Sequence, residues 1–260
     1  MNALRKYFTP FAHPGIGVTL ILSQLGLLML FWLLSPSKII PTPLEIARAW
    51  NAMAANDGLL IELANSALMI LKAIAWSSVI SLGIASLSTM SFFKTAARWL
   101  TSLRFLGFAG ITFLFTMWTA NGAQLKLWLL TFGMTAFLLT NLLSTVDAVT
   151  QQTLDYARTL GLDPWRTAYE TILRGKLAEI LDLVRQNAAM GWTILSMVEG
   201  LVRSEGGIGT LLLNQNRHFH LAAVFAIQIT ILIYGLGQDY LMKLLRDAAC
   251  PHLHFSQLNG

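Results

Sequence analysis

The sequence predicts an all-α, polytopic membrane protein of about six transmembrane helices. Composition is the first reason: 55% of the 260 residues are hydrophobic and only 12% are charged, whereas a soluble domain carries about a quarter charged residues. The second is a series of apolar runs, several near the ~20 residues that a helix needs to cross a bilayer. The third is the placement of the basic residues, which favours one side of the connections between those runs. The length gives room for several spans in one domain and little for a separate catalytic domain. No internal duplication or low-complexity region interrupts it.

The formal charge of +5 fits basic flanks of membrane spans, and no basic cluster with interleaved aromatics points to nucleic acid. Cys250 is the single cysteine, so neither an intrachain disulfide nor a cysteine-built metal site can form. His218 and His220 would supply two metal ligands, which do not complete a site, so a polar loop is the plainer reading.

Residues 1–15 are read as an N-terminal segment and Ile16–Leu34 as a first span, too long for a typical signal core and without a small-residue cleavage site. Pro36, Pro41 and Pro43 break helix continuity, and Pro43 with Leu44–Trp50 reads as a short amphipathic surface helix. Leu63–Thr89 is the second span; Lys72 within it is read as snorkelling or packing rather than touching solute. Ser91–Arg104 is a short positive connection, and Phe105–Trp118 a third span short enough to be tilted or irregular. Leu125–Thr145 is the fourth span, Asn187–Val202 the fifth and Leu221–Leu244 the sixth. Glu199, near the far end of the fifth, needs polar company there. Gly206, Gly207 and Gly209 then permit tight backbone geometry, and the absent GK[ST] ending argues against a phosphate loop. The spanning domain is thus residues 16–245, followed by a polar tail, 246–260.

Six crossings put both ends on one side. With the N-terminus inside, the inner segments hold Arg5, Lys6, Lys94, Arg98, Arg104, Arg158, Arg166, Arg174, Lys176, Arg185, Lys243 and Arg246. The outer ones hold Lys38, Arg48, Lys126, Arg203 and Arg217. This bias places both termini and the polar stretch Val146–Gln186 in the cytoplasm.

Within that stretch Thr153, Tyr156, Ala157 and Leu160 recur at helical spacing, which predicts a helix from about Val149 to Leu160. Gly161 suits a left-handed end, and Asp163 with Pro164 suits the cap and first turn of a second helix. Asp155, Arg158, Asp163, Arg166 and Glu170 give the bend charges of both signs. Spacing alone leaves open a solvated helical hairpin, the plainer reading, or a protein-docking element.

Asp155-Tyr156-Ala157 followed by Gly161 resembles the cytoplasmic signature, Glu-Ala-Ala, three residues, Gly, of the membrane-spanning permeases of bacterial ATP-binding-cassette importers, particularly the nitrate, sulfonate and taurine type. Only Ala157 and Gly161 are unchanged. The segment SPSKIIPTPLEIARAW resembles the family's proline-containing passage after span one, and MVEGLVRSEGGIGTLL its acidic, glycine-rich passage after span five. The similarity in order and spacing covers roughly 33–245. Prolines that the family often has near Arg174 and Ala178, and near Phe105, Gly107 and Phe108, are missing, which bears on helix shape and on the solute.

The resemblance implies a permease subunit of the bacterial inner membrane that works with a second, identical or related permease, two cytoplasmic ATPases and an extracytoplasmic solute-binding protein. Catalytic residues and cofactors are expected to be absent from this chain, with ATP and magnesium on the ATPases. Asp155, Tyr156, Ala157, Arg158, Leu160, Gly161, Asp163, Pro164 and Arg166 would couple to the ATPase; Glu199, Gly206, Gly207 and Gly209 would serve a gate or packing. Asp239 is read as structural. The alternatives are a non-transporting membrane assembly or regulatory subunit and an ion-driven secondary transporter.

Overall fold

The structure, a computed structural model, describes residues 14–34, 40–88, 90–161, 163, 166–167 and 169–250. Most of the predicted N-terminal segment, the tail beyond Cys250, and Pro164 lie outside these residues. The described residues are helical, without strands.

Helix α1, Pro14–Leu34, matches the first predicted span closely. The Trp32 indole ties its end to the Pro41 carbonyl at 3.0 Å. Helix α2, Pro43–Asn56, starts where Pro43 predicts and is closed by a capping box: Thr42 Oγ1 accepts from Glu45 N, and Glu45 Oε2 accepts from Thr42 N. It is a full turn and more longer than the surface helix read from Leu44–Trp50, because Met53 as well as Ile46 is buried. The Trp50 indole donates to Thr230 Oγ1 at 3.0 Å, fastening α2 to the last helix.

Helix α3 spans Leu59–Leu87. It begins earlier than the predicted Leu63 because the Glu62 carboxylate turns inward to bond the main chain of Gly207. Lys72 is exposed. The predicted positive connection is a helix: α4 is Ser91–Thr101, continued by a 3-10 turn, Ser102–Phe105. Its charges permit this because Asp147 accepts from both Lys94, at 3.1 Å, and Arg98, at 2.9 Å. Helix α5, Phe108–Thr116, follows, and the two parts meet at 107°. The break falls at the start of the predicted third run, Phe105–Trp118, whose α-helical part is the nine residues of α5.

Helix α6, Gly122–Asp147, is capped by Asn121, whose Oδ1 accepts from Gln124 N at 2.9 Å. It is the centre of the bundle, packed against α3, α4, α5 and α8. Leu129, Leu130, Met134 and Leu138 are fully buried along it. Helix α7 is Gln151–Thr159, and a π-helical turn at Tyr169–Arg174 leads into α8, Leu177–Leu201. Helix α9, Ile208–Arg217, lies between the fifth and sixth apolar runs, His218 and His220 fall in the connection after it, and α10, Leu221–Ala249, follows.

Helix α8 is longer than its apolar run because its polar first half is held by α10. Arg185 makes two bonds of 2.9 Å to Asp239, and Arg246 holds Asp182 at 2.7 and 2.8 Å. Asp239 is thus structural, as read. The Trp192 indole adds a bond to Gln238 at 3.0 Å.

Helices α3, α6 and α10 are long and apolar enough to cross a membrane, and the bent α4–α5 pair makes a fourth if counted as one span. Helix α8 carries Glu179, Asp182, Arg185 and Glu199, which dilute its apolar character. A β-carbon on Gly191 would stand 3.0 Å from Met134 Cε and 3.1 Å from Ile70 Cδ1, whereas one on Gly83 would meet nothing within 4 Å. Gly191→Val is therefore expected to overpack the α3–α6–α8 junction at a cost of about 1–3 kcal/mol. Gly83→Val should stay within about 0.5 kcal/mol of the parent. Thermal unfolding of the two variants in detergent checks the difference.

Candidate functional site

Two groups of residues stand at opposite ends of α8. Its 25 residues reach about 37 Å at 1.5 Å per residue, more than the ~30 Å hydrocarbon thickness of a bilayer.

The first group is the polar stretch. Helix α7 ends where expected, and Gly161 has φ +72°, the left-handed conformation that its position predicts. Tyr156 and Leu160, four residues apart, are 67% and 62% exposed, and Asp155, Gly161, Asp163 and Arg166 are exposed as well. Thr167 N bonds the Asp163 carbonyl at 2.8 Å, so Asp163 opens the next helical turn through its main chain. The side chains of Ala157 and Arg158 lie outside the described residues. Where a regular second helix was expected, Gly175 N reaches back five residues to Glu170 O, forming the π turn. Ile172, in that turn, is buried, and Leu173 beside it packs against the cluster of Leu142, Leu143 and Ile180. This contact joins the exposed elbow to α6 and α8.

The second group is a buried polar knot around the start of α9. A helix N-terminus leaves its first amides without partners. Here three consecutive amides are met by side chains from other helices. Gly207 N donates to Glu62 Oε2, Ile208 N to Ser66 Oγ at 2.9 Å, and Gly209 N to Glu199 Oε2 at 2.7 Å. Ser66 Oγ in turn donates to Glu199 Oε1 at 2.6 Å. Thr210 Oγ1 lies within bonding distance of both the Glu199 carbonyl, 2.7 Å, and the Gly206 carbonyl, 2.8 Å. The Lys126 ammonium also donates to Gly206 O.

The three glycines make this approach feasible. Gly206 and Gly207 have φ of +68° and +104°, and a β-carbon on Gly207 would fall 2.3 Å from the Glu199 carboxylate. One on Gly209 would fall 2.5 Å from Ser196 O. Glu199 and Lys126 are 2% and 1% exposed. Lys126 and Glu199 thus hold the same turn from two helices, one at the Gly206 carbonyl and the other at Gly209 N.

Sequence reasoning singled out Glu199 and the glycines but missed Glu62, Ser66 and Lys126. Lys126 does not belong to an outer loop: it is buried in the first turn of α6. The available signal was a lysine inside an apolar run only a few residues beyond a helix cap. Beside the knot, α8, α9 and α10 enclose a cavity of about 480 Å³ into which Arg203, Asn216 and Gln228 project among apolar residues. His218 and His220 have ring centres 6.0 Å apart, and among the described residues no three metal-ligating side chains gather.

No protein-family model matches the chain, and no curated protein sequence matches it.

Replacing Glu199 by Leu removes the acceptor for Gly209 N and for Ser66 Oγ, and stranding these buried donors is expected to cost about 1–3 kcal/mol. Combined with Lys126→Met, the loss should differ from the sum of the two, since both side chains hold the same 206–209 turn. Hydrogen exchange at amides 207–209 should accelerate in the Glu199 variant before the rest of the bundle opens.

Proposed function

We propose that the chain is the membrane-spanning permease subunit of an ATP-driven importer for a small solute such as nitrate, a sulfonate or taurine. In this reading α1, α3, the Phe105–Trp118 stretch that includes α5, α6, α8 and α10 are the six crossings, and both termini face the cytoplasm of a bacterial inner membrane. A second permease, identical or related, completes the pathway. Two ATPases bind below it and a solute-binding protein delivers from outside.

The observation that carries the reading is an exposed elbow with apolar side chains, Tyr156 and Leu160, anchored through Leu173 of the π turn to a helix that runs to the Glu199 knot. An exposed aromatic and leucine pair on a charged hairpin suits a protein groove better than water. The mechanism needs no catalytic residue here. ATP and magnesium belong to the ATPases; their closure pushes the elbow, Gly161 sets its angle, and Arg158 or Arg166 pairs with acids on the partner. The turn at Ile172 moves α8 as one body, and α8 carries Glu199 with it. Displacing Glu199 withdraws an acceptor from Gly209 N, so α9 shifts beside the cavity of about 480 Å³. That volume lies within the ~300–1,000 Å³ of small-ligand sites. Two packed arrangements exchanged in this way constitute alternating access.

Gly161→Ile puts a β-branched residue into a left-handed conformation, a strain of about 1–2 kcal/mol. Five- to thirtyfold weaker retention of the ATPase is the expected scale for that strain. Asp57→Asn, at the exposed end of α2, should change nothing. The measurement is ATPase recovered with the tagged permease, together with vanadate-sensitive uptake into vesicles. A purified assembly that transports without any ATPase, driven by an ion gradient, would defeat the proposal.

A further inference from the structure

The segment Ser91–Phe105 carries Lys94, Arg98 and Arg104 and no acid. Because it meets α5 at 107°, the two cannot both follow the membrane normal. Helix α5 has no charged residue, so α4 is the part that lies along the surface, with the amphipathic pattern such helices show. Phe92 and Trp99, seven residues apart on one face, are 86% and 75% exposed, while Lys94 and Arg98 occupy the opposite side. Ala97 is buried with Leu138, Leu139 and Leu142 of α6, which fixes α4 to the bundle. The three cations meet one carboxylate among the described residues, that of Asp147, which pairs with Lys94 and Arg98. Arg104 lies over the Phe105 ring at 4.9 Å.

Beneath this helix runs an apolar cavity of about 200 Å³ bounded by α3, α4, α5 and α6. Leu100 and Leu103 form its wall on the α4 side, and α6 lines it from Trp128 to Leu139. That stretch of helix measures about 16 Å, or half of a ~30 Å hydrocarbon core, the depth of one leaflet. Thr131 and Thr135 also line it, and neither hydroxyl has a hydrogen-bond partner among the described residues. Two polar atoms are too few to hold water throughout such a space, since each buried water needs ~2–4 polar partners. An elongated apolar occupant fits it better, and Thr135, one turn from the α4 end, offers a donor at the depth of an ester carbonyl.

We infer that this groove holds part of one acyl chain of an anionic phospholipid whose phosphate is bound by Arg104, with Lys94 and Arg98 adding to the positive field along α4. The inference requires only that α3 and α6 lie in a bilayer, and it is independent of the importer reading. Lipid charge selects the site through the cations, and chain length fits it to a single leaflet. Each basic residue near an anionic surface contributes about 1 kcal/mol, so three cations less one paired acid should give a preference of at least about tenfold.

Native mass spectrometry of the purified full chain in detergent, titrated with phosphatidylglycerol or with phosphatidylcholine of the same acyl chains, tests this. About tenfold greater retention of phosphatidylglycerol is expected, and equal retention of the two lipids by the unaltered chain would overturn the proposal without any variant. Lys94→Gln/Arg98→Gln/Arg104→Gln should abolish the preference, while Ala136→Phe, which fills the groove, should lower retention of both lipids. Unchanged phosphatidylglycerol retention in either variant, with its unfolding temperature kept, would also overturn it. Disulfide formation between two chains carrying Phe92→Cys and Cys250→Ser in vesicles would instead assign the α4 face to a second copy, and so reject the lipid.

Discussion

The amides that open α9 are the constraint on which this end of the bundle depends. A ten-residue helix is marginal on its own, and this one begins inside the protein with three successive N–H groups to satisfy. Side chains of α3 and α8 satisfy them, and Lys126 of α6 holds the carbonyl just before them. Breaking any of these bonds strands a buried polar group, at a cost of ~1–3 kcal/mol for a neutral one and more for a charge. The knot thus joins α3, α6, α8 and α9 through directional contacts, where apolar packing alone would tolerate sliding.

At the other end of α8 the contacts are also polar but half-exposed. The Arg185–Asp239 and Arg246–Asp182 pairs bind α8 to α10, and the π turn brings Leu173 against α6. Water screens those ion pairs more than the buried knot, so the elbow end is the softer one. That asymmetry suits the proposed role, with input at an exposed elbow, transmission along one long helix and response at a closely fitted cap.

The helices centred on apolar runs were legible because a run without charges has one economical solution in a bilayer. Gly161 was legible for a local reason, the left-handed end of α7. What the sequence concealed was long-range. Glu62 looked like the end of a connection until its partner, the Gly207 amide 145 residues later, was in place. Lys126 looked like an outer positive charge for the same reason. Ser91–Arg104 read only as a short positive connection, whereas its ion pairs with Asp147 and the buried Ala97 hold most of it as a helix against α6. Glu62 and Lys126 were misplaced because their partners lay 145 and 80 residues away.

The central claim is that α8 carries the elbow and the knot on opposite faces of the membrane. Single cysteines at Tyr156 and at Arg217, each in a Cys250→Ser background, can be labelled in intact cells with a membrane-impermeant maleimide. The account predicts that the cysteine at position 217 reacts from outside and the one at 156 only after permeabilisation. Labelling of both from the same side would contradict it.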